Sequence, residues 1–113
     1  MSYVREILRE VSYAFRSLNR HTPEVAKAFK DLLEAALTKG KLTLREKELV
    51  LVGVSVALRC EPCTVLHIKK ALEAGADPEE IAEAIAVTVL MGGGPVITTS
   101  AKAFKALEEL SRK

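Results

Sequence analysis

Apolar residues return at steps of three and four along almost the whole of this chain, and the interruptions fall at residues that start or stop helices. Val4, Ile7, Leu8, Val11, Phe15 and Leu18 form one stripe, which predicts an amphipathic helix ending near Asn19 and Arg20. Thr22 followed by Pro23 reads as an N-cap and a first-turn proline. Val25, Phe29, Leu32, Leu33, Ala36 and Leu37 continue a second stripe until Gly40 stops it. Thr43-Leu44-Arg45-Glu46 has the form of a capping box, whose hydroxyl and carboxylate satisfy orphan amides at the start of a third helix running to about Leu58. A fourth helix starts at Cys60 and Cys63 and continues through Val65, Leu66, Ile68, Ala71 and Leu72 to Gly75. Asp77-Pro78-Glu79-Glu80 repeats the cap-and-proline signal, opening a fifth helix through Ile81, Ile85, Val89 and Leu90 that Gly92-Gly93-Gly94-Pro95 breaks. A last helix from about Pro95 carries Val96, Ile97, Phe104, Leu107 and Leu110, and the terminal Ser-Arg-Lys is expected to fray.

One segment departs from this rhythm. Leu49 to Val56 is almost unbroken in its apolar character and rich in β-branched residues, so it also suits a buried strand. The capping box upstream and the helical flanks favour a helix buried on nearly all sides. The expected architecture is an all-α, compact bundle of about six helices, and 113 residues fit one domain spanning 1–113. Apolar residues make up 49% of the chain while aromatics supply only 4%, so the interior must be packed from Ala, Leu, Val and Ile. That is more aliphatic surface than a small monomer readily hides, and self-association is expected.

Charge narrows the field further. The 17 Lys and Arg stand against 15 Asp and Glu, with both signs interspersed, which is not the basic stripe of a nucleic-acid binder. The strongly apolar stretch Leu49 to Leu58 is too short for the roughly 20 residues a bilayer requires. The start of the chain shows no apolar core with a small-residue cleavage site, so a cytoplasmic location is expected. In such a reducing compartment a close cysteine pair is more often catalytic or metal-binding than a structural staple.

That pair is Cys60-Glu61-Pro62-Cys63, followed one helical turn later by His67 in a chain with only two cysteines and two histidines. Two thiols at this spacing can close a small disulfide ring, and a thiol at a helix N-terminus meets unpaired amides and a positive dipole end that lower its pKa from about 8.5. Pro62 fixes the backbone in that first turn. His67 is placed to take or return a proton, directly or through one water. Cys63 is assigned as the attacking sulfur and Cys60 as its resolving partner; the reverse order is chemically open. Glu48 would orient the imidazole if it reached it. In an antiparallel hairpin the two lie about one turn out of register, and taken alone Glu48 is an ordinary solvated first-turn carboxylate. A zinc half-site lacks its second pair of ligands, so neither metal nor cofactor is expected. An inert packed pair is the bland alternative. His21 reads as a surface residue, and the glycine run as an interhelical turn expected to border the pocket rather than a phosphate cradle.

Glu48, eleven intervening residues, Cys60-x-x-Cys63, three intervening residues and His67 resemble the signature of the alkylhydroperoxidase D family, which is grouped with the carboxymuconolactone decarboxylases. The similarity extends from about Leu42 through Gly92-Gly93-Gly94-Pro95. It implies a hydroperoxidase or disulfide reductase in which Cys63 passes through a sulfenic acid, Cys60 condenses with it, and Glu48 and His67 relay protons. It implies a hydroperoxide or disulfide substrate, a dithiol or redox-protein electron donor, and trimers or hexamers. Some members carry a relay histidine where this chain has Pro62, and Cys-x-Pro-Cys is similar to thioredoxin-type oxidoreductases, which keeps general thiol–disulfide exchange open. A non-catalytic, oligomeric redox sensor is the third reading.

Overall fold

In a computed structural model, which describes residues 2–112, the chain forms six α-helices and, among the described residues, no strand. They are α1 (Tyr3–His21), α2 (Pro23–Leu37), α3 (Leu44–Ala57), α4 (Glu61–Glu73), α5 (Pro78–Val87) and α6 (Val89–Ser111). Met1, and Lys113 at the end of the tail expected to fray, lie outside the described residues.

The starts of these helices follow the capping chemistry. Thr43 Oγ1 accepts the Glu46 amide at 3.1 Å while the Glu46 carboxylate accepts the Thr43 amide at 2.8 Å, and Asp77 and Glu80 make the same reciprocal box on α5. Thr22 behaves differently from the expected N-cap. Its hydroxyl donates backward to the Leu18 carbonyl at 2.9 Å and closes α1 instead. At the other end of α2, the Lys47 ammonium reaches across from α3 to the Ala36 and Thr38 carbonyls, at 2.8 and 2.7 Å. A cation thus satisfies orphan acceptors at the negative end of the dipole.

The core lies among α3, α4, α5 and α6. Val52, Val56, Val65, Ile68, Ile81 and Ile85 are its largest fully buried side chains, and Ala71, Ala103 and Ala106 allow the helices to approach closely. Gly53 serves the same purpose, because a Cβ there would stand 3.3 Å from Thr88 Cγ2 and 3.6 Å from the Ala84 carbonyl.

Leu49 to Val56 is helix, yet it is not buried on nearly all sides. Glu48, Val52, Ser55 and Val56 share the inward face, while Val50 and Val54 face outward, half exposed. The unbroken run therefore supplies a second apolar face that this chain does not cover. The fifth helix also ends earlier than its pattern suggests. At Thr88, whose hydroxyl donates to the Ile85 carbonyl at 2.6 Å, the chain bends by 112° into α6. The glycine run then interrupts α6 at Gly93, which takes φ 60°, ψ −146°, a conformation that favours glycine.

Helix α2 buries none of its residues and packs chiefly on α1, where the Phe15 and Phe29 rings lie 5.9 Å apart. No single helix among the described residues is long and apolar enough to cross a membrane; α5 and α6 pass by length and composition only as a bent pair.

Candidate active site

The turn joining α3 to α4 delivers the cysteines. The Cys60 amide donates to the Ser55 carbonyl at 3.1 Å and the Arg59 amide to Val56 at 3.0 Å, which is the Schellman pattern of a helix end. Arg59 occupies the left-handed position of that motif, at φ 59°, where glycine is usual. Gly75, at φ 101°, fills the equivalent position at the end of α4. Cys60 follows at once as the N-cap of α4, with its sulfur accepting the Cys63 amide at 3.3 Å. The two sulfurs are joined in a disulfide across a Cα–Cα distance of 5.3 Å, so the structure is the oxidised form.

One turn further along α4, His67 Nδ1 lies 2.8 Å from Glu48 Oε1. The contact is direct, so the register mismatch expected from the sequence does not keep the two groups apart. Glu48 is only 2% exposed, which overturns its reading as a solvated first-turn carboxylate. Burying a carboxylate is costly unless a donor faces it, and the imidazole is that donor. A carboxylate only accepts, so Nδ1 carries the hydrogen of this contact and Nε2 is the nitrogen left for other partners.

Cys63 and His67 face one open-mouthed cavity of about 810 Å³ lined by α1, α2, α3 and α4. Its walls are mainly apolar, with Phe15, Phe29, Leu33 and Leu66 among them, and Cys60 is not part of its lining. Of the candidates the sequence pointed to, Glu48, Cys63 and His67 line this cavity, and Cys60 is tied to Cys63 by the disulfide. The sequence did not point to the first two helices as a pocket wall. The available signal was the placement of Phe15 and Phe29 in a chain with three phenylalanines. Gly92, Gly93 and Gly94 do not line this cavity, so their expected place at the pocket's border is not found. His21 lies exposed at the end of α1. Among the described residues no group of three or more His, Cys, Asp or Glu side chains is arranged to hold a metal ion.

A second cluster lies beside the same turn. Tyr3 donates its hydroxyl to Glu61 Oε2 at 2.5 Å, Lys102 Nζ stands 3.3 Å from Glu61 Oε1, and Lys105 Nζ sits 4.7 Å from the centre of the Tyr3 ring. The Tyr3 hydrogen bond, reinforced by Lys102, holds the Glu61 carboxyl below the usual carboxylate range. Burial first, and then Glu61 itself, push the Tyr3 phenol well above its ordinary value.

Comparison with known proteins agrees with this architecture. The model of the carboxymuconolactone decarboxylase family matches residues 23–106. An uncharacterized protein of Cupriavidus necator is 33% identical over 104 residues, covering 92% of each chain. An uncharacterized protein of the cox locus of Paracoccus denitrificans is 32% identical over 101 residues, 89% of this chain and 91% of its own. The crystal structure of a carboxymuconolactone decarboxylase family protein from Legionella pneumophila superposes with a TM-score of 0.91 at 30% identity, covering 96% of this chain and 97% of that one. A Thermotoga maritima member of the same family, described with a suggested role in the antioxidative response, gives 0.81 at 32% identity over 93% of this chain and 89% of its own. With the family model matching from the start of α2 into α6, and the six-helix fold shared nearly end to end, this chain belongs to the carboxymuconolactone decarboxylase family.

Proposed function

We propose that this protein is a thiol-dependent oxidoreductase that reduces organic hydroperoxides through a cycle of Cys60 and Cys63. The observation that carries the reading is a helix-capping disulfide one of whose sulfurs shares an apolar cavity with a buried carboxylate–imidazole pair. In the reduced protein the Cys63 thiolate attacks the outer oxygen of the hydroperoxide. The O–O bond breaks, the sulfur becomes a sulfenic acid, and the alkoxide leaves as alcohol with a proton relayed by His67. The Cys60 thiol then displaces hydroxide from that sulfur, forming the disulfide and one water. A dithiol donor reduces the disulfide back to two thiols and is itself oxidised.

Accessibility supports the order with Cys63 attacking first. Cys63 is exposed and lines the cavity, whereas Cys60 sits deeper with its sulfur on the Cys63 amide. That hydrogen bond also makes Cys60 the better leaving thiolate when a donor attacks Cys63. Glu48 keeps the imidazole in one tautomer and one orientation. The apolar walls suit a hydroperoxide with a carbon chain more than hydrogen peroxide, and the antioxidative role suggested for the Thermotoga relative points the same way.

Pro62, at a position where some relatives carry a relay histidine, together with the exposure of Cys63 favours a second reading, protein or small-molecule disulfide exchange. Either chemistry is compatible with a homo-oligomer. The uncovered apolar side chains of α2 and α3 are the reason to propose self-association.

The test is turnover of tert-butyl hydroperoxide with a dithiol donor. Wild type consumes it, Cys63→Ser does not, and Cys60→Ser stops at a single-oxygen adduct visible by mass spectrometry. A wild type no faster than the double cysteine variant rejects the peroxidase reading. Faster turnover of a small disulfide than of the hydroperoxide selects the second one.

A further inference from the structure

Of the two residues between the cysteines, Glu61 has its side chain held from two directions. Glu61 accepts from Tyr3 of α1 at 2.5 Å and pairs with Lys102 of α6 at 3.3 Å. It lines a separate small cavity of about 220 Å³ together with Arg59, Thr64 and Lys102, and not the cavity onto which Cys63 opens. No step of the sulfur chemistry uses these groups.

Position makes this arrangement consequential. Glu61 is the first residue of α4, so its carboxylate competes with a thiolate for the same positive helix end and repels it. A free carboxylate here would raise the thiol pKa and slow every step that needs a thiolate. We propose that Tyr3 and Lys102 are positioning residues that hold the Glu61 carboxylate on the side of α4 away from the Cys63 cavity, partly neutralised, and so preserve the thiolate of the reduced pair. This rests on the redox reading of the pair. The charged and titratable groups facing Glu61 are Tyr3 from α1, Lys102 and Lys105 from α6, and Arg59 from the preceding turn. The depressed carboxyl of Glu61 agrees with a group kept ionised and satisfied.

The sign of the effect distinguishes this role from a merely structural one. Alkylation of Cys63 by iodoacetamide is followed against pH in the reduced protein, with mass spectrometry reporting the site. Tyr3→Phe and Lys102→Met should move the midpoint up and Glu61→Gln should move it down, each by roughly 0.3–1 pH unit, the size expected for one charge at partly screened distance. Tyr3→Phe combined with Glu61→Gln should follow Glu61→Gln alone. Midpoints unchanged in all variants, or Tyr3→Phe and Glu61→Gln moving in the same direction, overturn the proposal. Lys102 is exposed, so Lys102→Met carries the sign test even if Tyr3→Phe does not fold. A parallel arm treats reduced wild type with one equivalent of hydroperoxide. Failure to form the disulfide there removes the peroxidase reading, whereas a wrong sign pattern with normal disulfide formation removes only this one.

Discussion

A carboxylate that is 2% exposed with an imidazole 2.8 Å away is an energetic commitment before it is a catalytic one. Removing the imidazole leaves the charge buried without its donor, which costs more than the pair contributes. His67→Ala is therefore expected to destabilise the protein by about 1–3 kcal/mol in urea unfolding, below the range for fully enclosed pairs because the His67 side chain keeps some solvent contact. Glu48→Gln keeps the shape without the charge. It should slow hydroperoxide turnover with little change in the unfolding midpoint. The Tyr3–Glu61 bond sets a pH dependence with two limbs. Because the folded Glu61 carboxyl lies below its ordinary 4.5, its contribution is present above that pH and is lost as pH falls through the folded value. Tyr3 is shifted upward from 10.0, so its contribution is complete below that pH and is lost as pH rises through the folded value. Melting temperatures of Tyr3→Phe should be flatter than wild type at both extremes.

At the scale of elements, local chemistry reads well where a side chain acts on its own backbone. The boxes at Thr43 and Asp77, the prolines opening α2 and α5, and the glycine at the end of α4 each mark a boundary that the structure keeps. The bend at Thr88 was illegible, since Val87, Thr88 and Val89 carry no breaker and the direction of α6 is set by packing on α3 to α5. Likewise nothing local marks Arg59 as left-handed. A non-glycine residue in that conformation costs roughly 1–2 kcal/mol, partly offset by the entropy that glycine loses on folding. Arg59→Gly should therefore raise stability by roughly 0.5–1 kcal/mol, seen as a higher melting temperature, with the disulfide geometry unchanged. A lower melting temperature would show that the Arg59 side chain supports the turn.

For the molecule as a whole, the apolar surface left uncovered is the salient property. Val25, Phe29, Leu32 and Leu33 of α2 are all more than two-fifths exposed, and Leu90 and Met91 beyond α5 are 86% and 95% exposed. Such surface is unfavourable in water and is relieved by association. Sedimentation velocity at micromolar concentration should show a species of several chains, and Leu32→Glu or Val50→Glu should shift it towards one chain while far-UV circular dichroism stays helical. A wild type that sediments as one chain rejects the proposal.

Periodicity and capping determined the helical class, the order of the helices and the place of the cysteine pair at the start of α4, because each depends on residues within about one turn of one another. The resemblance carried by the spacing of Glu48, Cys60, Cys63 and His67 is what singled them out as candidate site residues. Only the tertiary structure decided that Glu48 meets His67, that α1 and α2 wall the cavity, and that Tyr3 and Lys102 converge on Glu61 from 58 and 41 positions away. Those contacts depend on how far each helix rotates and where it crosses its neighbour. Close packing of alanine, valine and Gly53 sets both quantities jointly, and no local pattern encodes them.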